Sequence, residues 1–237
     1  SLRRAQRRLD EAESLAAAAL ALYRESGDLR GVGSALIKQA KILEERGETE
    51  KAITLLSEAA EGLHPGLRRL RLCTRHNLAL LLTAAERHAE AEALLPEVRA
   101  LALELGNPLD LLRLRWVEGR IALGVGQAAA AEAAFREVQN AFFDRRMGYD
   151  AALVALDLAA LYAQEGRTAE LKALASEIMP VFESREVHRE AMAALLMFQH
   201  AALEERLTAD LARQLAAFLK HERCLDPKSF CAESSSS

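Results

Sequence analysis

Glu45-Arg46-Gly47-Glu48-Thr49-Glu50-Lys51-Ala52-Ile53-Thr54-Leu55-Leu56 is the stretch that decides the fold. Gly47 sits where a left-handed residue ends one helix, and a second helix opens behind it carrying Ala52 and Leu56 on one side. The pattern recurs at Val125-Gly126-Gln127 with Ala131 and Phe135, and at Glu165-Gly166-Arg167 with Leu171 and Ala175. A further echo is Ala85-Glu86-Arg87-His88 with Ala91 and Leu95. The anchors Ala12, Ala52, Ala91, Ala131, Leu171 and Leu211 are spaced by 40, 39, 40, 40 and 40 residues. A register kept over five intervals is an internal repeat.

Each period holds two helical stretches and a tight turn. Helices are predicted near 8–26, 29–46, 49–63, 67–85, 88–105, 109–125, 128–146, 149–165, 168–183, 186–206 and 208–223. The breaks between periods, Ser26-Gly27-Asp28, His64-Pro65-Gly66, Gly106-Asn107-Pro108, Arg146-Met147-Gly148 and Glu183-Ser184, carry turn chemistry. Thr49 and Thr168 are positioned to cap the second helices, and Pro96 and Pro180 to kink or stop theirs. Small residues at Ala40, Ala79, Gly119 and Ala159 in first helices face Ala12, Ala52, Ala91 and Ala131 in second helices, so backbones can approach closely. Leu43, Leu56, Leu82, Leu95, Phe135, Tyr162, Leu215 and Phe218 are the large knobs around them. One hairpin cannot bury such a face alone, and stacked hairpins do. The fold class expected is therefore all-α, a right-handed α-solenoid of about five to six antiparallel helix pairs. It should span 1–223, with 185–223 as a capping pair and 224–237 a disordered tail. Ala12 falls in a second helix, so its first helix is expected upstream of Ser1.

Composition excludes several classes. The 31 Lys+Arg against 35 Asp+Glu leave a net charge of −4, which does not draw the chain as a whole to nucleic acid or anionic lipid. No run of 18 apolar residues is free of charge, so no membrane span is expected. Val, Ile and Thr are scarce, which argues against a sheet. Cys73, Cys224 and Cys231 have no close pair, and no apolar signal core opens the chain, as in a cytoplasmic protein.

On these residues the chain resembles the tetratricopeptide-repeat (TPR) family over about residues 5–223. Asn77-Leu78-Ala79-Leu80-Leu81 and Asp157-Leu158-Ala159-Ala160-Leu161-Tyr162 are similar to the long-period variant of kinesin light chains and of sensor regions in bacterial transcription regulators. Leu171 stands where that pattern has Ala, and Glu86 where it has the turn Gly. The resemblance implies that first helices line a concave surface where peptides lie. It places Ser34, Ile37, Lys41, Arg75, His76, Asn77, Arg113, Trp116, Arg120, Leu153, Leu156, Asp157, Ala160, Leu196 and His200 on or near that surface. Asn77 matches the family position whose amide holds a ligand's backbone; the alternative is an Asn bonded to its own helix neighbourhood.

The arginines point to the ligand. Arg68, Arg69, Arg71, Arg75 and His76 share one first helix, and Arg113, Arg115 and Arg120 occupy the next. Arg71 and Arg75 are spaced i,i+4 and share a face. Such forks suit carboxylates or phosphates; equally, they can be a solvated face or pair with Glu97, Glu104 and Glu118. Trp116 can anchor a partner or belong to inter-repeat packing.

Catalytic and metal readings do not assemble. The six histidines show no HExxH arrangement, and His221 with Cys224 supplies two ligands where structural zinc needs four. Gly124-Val125-Gly126 follows no strand and reads as a hairpin turn. Glu44-Glu45 and Glu204-Glu205 read as solvated helix ends. No catalytic residue, metal or cofactor is expected. The function expected is a protein-interaction scaffold binding an acidic peptide or protein segment through Arg71, Arg75, His76, Asn77, Arg113, Trp116, Arg120 and Asp157. The alternative is the sensor or oligomerisation part of a larger bacterial regulator. Direct nucleic-acid binding is not expected, and self-association through the open ends of the stack is.

Overall fold

The computed structural model describes residues 2–182, 189–204 and 206–225. They form α1 (Leu2–Ser26), α2 (Leu29–Glu45), α3 (Thr49–Gly62), α4 (Arg68–Ala84), α5 (His88–Leu105), α6 (Pro108–Gly124), α7 (Ala128–Asp144), α8 (Gly148–Gln164), α9 (Thr168–Phe182), α10 (Arg189–Leu203) and α11 (Ala209–Leu225). Among the described residues there is no strand. The break expected at Glu183-Ser184 and the tail past Leu225 lie outside the described residues, as do the side chains of His188, His221, Cys224 and Cys231.

The chain divides into two compact units between Val125 and Gly126. In the first, helices α1 to α6 each pack on the next, and the first helices α2, α4 and α6 also touch in sequence. One core runs through it: Ala40, Ala52, Leu56, Leu78, Ala79, Leu82, Ala91, Val117 and Ile121 bury together. The anchors are the most enclosed members, with Ala52 and Ala91 at 0% exposure. A methyl in that position lets two helix axes approach until their flanking leucines interlock. Gly33 does the same on α2, where a Cβ would overlap Leu70 of α4.

In the second unit α8 is the buried element. It packs against α7, α9 and α11, and from Asp150 to Tyr162 only Asp157 escapes full burial. Leu153, Leu156 and Ala160, expected on an open surface, are thus core residues at 3%, 1% and 3% exposure. The reason is that α11 turns back onto α8 and covers it, while α10 packs on α9 and α11. Phe218, expected as a core knob on α11, is exposed.

The turns follow two interleaved series. Within hairpins, Gly47, Glu86, Gly126 and Gly166 all take positive φ, between 60° and 79°. Between hairpins, Gly27, Gly106 and Arg146 do so. The conformation is therefore imposed by the repeat, and Glu86 and Arg146 adopt it at a steric cost that glycine avoids. The caps are not those expected. Thr49 is the first helical residue of α3, whose N-cap Glu48 makes no side-chain bond. Side-chain caps come instead from Asp28, whose Oδ1 accepts from Gly31 N at 2.9 Å, from Asn107 to Leu109 N at 3.0 Å, and from Thr208 to Leu211 N at 3.2 Å. Pro96 does not stop α5, which continues to Leu105 with the proline on its exposed side. Likewise α9 runs past Pro180 to Phe182.

Gly47 has open space where a Cβ would stand, so Gly47→Ala tests the backbone angle alone. It should cost ~1 kcal/mol, and Glu86→Gly should return ~0.5–1 kcal/mol after the flexibility it adds to the unfolded chain. Urea midpoints of the two variants against the parent check both signs.

Candidate functional site

The two arginine-bearing first helices lie side by side in the first unit, and each arginine is sorted by the helix face it occupies. Arg71 and Arg75 face α5. Arg71 Nη2 donates to Glu97 Oε1 at 2.6 Å, and Arg75 Nε lies 2.7 Å from the same oxygen, off the N–H axis, as a charge contact. Arg68 pairs with Glu104 at 2.9 Å. Arg115 shares Glu118 with Arg99 of α5. Arg69 reaches across to Asp110 in the first turn of α6, and that aspartate is 6% exposed. The pairing with Glu97, Glu104 and Glu118 that the sequence left open is thus formed: Glu97 and Glu104 tie α5 to α4 of the same hairpin, and Glu118 ties α6 to α5 of the hairpin before it.

Two polar side chains on these helices stay outside the pairing. Asn77 makes no side-chain hydrogen bond among the described residues, and Arg113 makes no ion pair among them. Both are half-buried. Arg120 stacks on the Trp116 ring one turn away, with its guanidinium carbon 4.7 Å from the ring centroid, a cation–π contact that places the charge over the indole face.

His76 stands within the field of this group. Burial, and after it the positive charges of Arg113, Arg120 and Arg69, push its pKa down to about 4, while Asp110 opposes them. At neutral pH the imidazole is uncharged, and its surroundings carry three guanidiniums against one carboxylate.

Asp157 lies on α8 in the second unit, half-buried and with contacts of its own. Leu196 and His200 are exposed on α10, with His200 Nε2 3.3 Å from Glu204. On α2, Ser34 and Ile37 are half-buried and Lys41 is exposed.

A second ion-pair system escaped the sequence reading. Turn arginines Arg46, Arg87 and Arg167 each reach back to an acid on the preceding second helix. Arg46 pairs with Asp10 and with Glu13 at 2.8 Å, Arg87 with Glu50 at 3.0 Å, and Arg167 with Glu132 at 2.6 Å. Arg87 and Arg167 add a forward bond to the residue three on, Glu90 and Glu170. In the second unit the rung gains Tyr162, whose hydroxyl donates to Glu132 at 2.6 Å beneath the Arg167 guanidinium at 4.4 Å from its ring centroid. These donors hold the Glu132 carboxyl below the usual carboxylate range. Arg87 and Arg167 each follow the positive-φ residue of their turn, a place held by Glu48 and Gln127 in the other two hairpins, while Arg46 precedes Gly47, so the series is not written as one repeated position. Among the described residues no three His, Cys, Asp or Glu side chains gather as a metal site, and no helix is long and apolar enough to cross a membrane.

With helix pairs stacked on small anchors at this period, the architecture is a TPR-like repeat fold. The chain is similar to BtubC (BKLC) from P. vanneervenii, with a TM-score of 0.64 and 16% identity, covering 92% of this chain and 91% of that one. It is similar also to a Podosopora anserina kinesin light chain structure with nearly identical TPR-like repeats, at a TM-score of 0.54 and 19% identity over 82% of this chain and 96% of that one. A variant of that repeat protein gives the same TM-score at 22% identity, over 80% of this chain. No protein-family model matches the sequence, and neither does any curated protein.

The neutral state of His76 makes stability depend on pH. Its pKa is lower in the folded chain than the ordinary 6.5. Between the two values the unfolded state binds the extra proton, so stability is fully present above pH 6.5 and falls as pH drops toward 4. The loss is at most ~3 kcal/mol. His76→Gln should flatten this segment of a urea-midpoint-versus-pH curve, and an unchanged slope refutes the assignment.

Proposed function

We propose that the chain is a protein-interaction scaffold that receives an acidic peptide or protein segment on the face shared by α4 and α6. The observation that carries this reading is the division of labour among the cations. Arg68, Arg69, Arg71 and Arg115 are spent on internal acids, while among the described residues Arg113 of α6 has no carboxylate partner and the Asn77 amide of the neighbouring α4 makes no bond. Arg113 supplies a planar fork for a carboxylate, and Asn77 donates to and accepts from one peptide unit of an extended segment. Trp116 and Arg120, stacked on each other, stand on the same helix as Arg113. Arg71 and Arg75 leave the contact set, because Glu97 already holds them. Asp157 stays outside it, on the second unit. The likeness to kinesin-light-chain-like TPR structures supports the scaffold reading through the fold.

The test is titration of the chain with a fluorescent library of Asp/Glu-containing peptides. A charge-assisted fork contributes ~1.5–3 kcal/mol, so Arg113→Glu should weaken binding by roughly tenfold to a hundredfold, and Asn77→Ala by about tenfold. Arg71→Glu should leave affinity nearly unchanged while lowering the urea midpoint. Equal losses from Arg71→Glu and Arg113→Glu, or none from either, would sink the assignment.

A further inference from the structure

We infer that His76 contacts the acidic segment received on the α4–α6 face and takes up a proton as that segment binds, an inference that rests on the scaffold reading above. The repeat register places His76 on α4 where Trp116 stands on α6, and the two helices pack on each other. Asn77 follows His76 in the chain, and Arg113 lies one turn before Trp116. The imidazole is half-buried. Among the described residues neither of its ring nitrogens makes a hydrogen bond or an ion pair, and neither is sealed from solvent, unlike Nδ1 of His88. A ring whose nitrogens are reachable and unbonded keeps its hydrogen-bonding capacity for a ligand.

The effect of a ligand carboxylate follows from the groups already acting on the ring. Burial, and then the charges of Arg113 and Arg120 on α6 and Arg69 on α4, hold it at about 4 against the opposing pull of Asp110. Helices α2, α3 and α5 pack on α4 as well. On α5, Glu97 and Glu104 are held by Arg71, Arg75 and Arg68. Lys38, Lys41 and Glu44 of α2 and Glu58 and Glu61 of α3 are all exposed, where water and salt screen them. The sign at His76 is therefore set from the α6 side, where the segment is received. A carboxylate beside Arg113 acts as Asp110 does: it offsets the guanidinium repulsion and accepts a hydrogen bond from the charged ring. In the complex the ring is raised toward its ordinary 6.5, and by linkage the complex tightens wherever it holds more protons than its separate components.

The probe is the tightest-binding peptide of the Asp/Glu library, titrated into the whole chain by calorimetry at steps from about pH 7.5 to about pH 5.5, where its carboxylates stay ionised. Affinity should rise roughly fivefold to tenfold across that range. Titrations at the acid end in buffers of different ionisation heat should show uptake of more than about half a proton per peptide bound. His76→Gln should lose both the rise and the uptake, whatever its affinity at neutral pH. His64→Gln, on the exposed turn before α4, should keep both. Binding that is indifferent to pH, or proton uptake that His76→Gln retains, overturns the inference and leaves the scaffold reading standing. Absence of binding at every pH removes that reading and this inference with it.

Discussion

Close approach of helix backbones at an unbranched small residue is the constraint on which the structure rests. With aromatics at 5% of the sequence, the chain has few large side chains to fill wide gaps, so stability must come from narrow ones. Alanine at the crossing brings the axes near enough for leucines on either side to interlock, and each buried leucine then contributes ~1.5–3 kcal/mol. The same constraint sets the repeat length, because every hairpin must present its crossing point at the same height. Gly33, which makes room for Leu70, and Gly124, which makes room for His88, show the tolerance of that geometry reduced to a single methyl.

The charges are arranged around this skeleton. Partly exposed ion pairs add little individually, but here they recur at fixed places and connect elements far apart in the chain. The turn arginines join a hairpin to the one before it, and Glu97 gathers two guanidiniums onto one second helix. A basic cluster in the sequence thus becomes mostly a set of internal ties. What is left over is informative because the rest is accounted for. Arg113, Asn77 and the neutral His76 stand on the adjoining helices α4 and α6.

The second unit departs from the regular row of the first. In the second unit α8 is enclosed by α7, α9 and α11, and its Leu153, Leu156 and Ala160 become core. A first helix near the end of such a row cannot serve as open wall and core together, and apolar content decides which it becomes. Asp157 is the one residue between Asp150 and Tyr162 that is not fully buried.

The sequence alone determined the repeat, its period, the anchors and the helices to within a few residues, except that α1 starts at Leu2 and not near residue 8, because those depend on local periodicity and on glycine or alanine at fixed intervals. Glu86 shows the limit of reading turns by residue type: the repeat imposes the left-handed angle, and the side chain follows. Helix capping was misread at Thr49 for a similar reason, since a shift of one residue moves a hydroxyl from cap to first turn. Only the tertiary structure decided which arginines are spent. Arg71 and Arg113 look equivalent in one dimension, but the choice depends on which face of a helix meets Glu97, and that face is set by packing between elements tens of residues apart. The same holds for α8, whose burial depends on where α11 comes to rest. Periodicity is written along one chain, whereas charge pairing and burial are properties of neighbours that folding brings together.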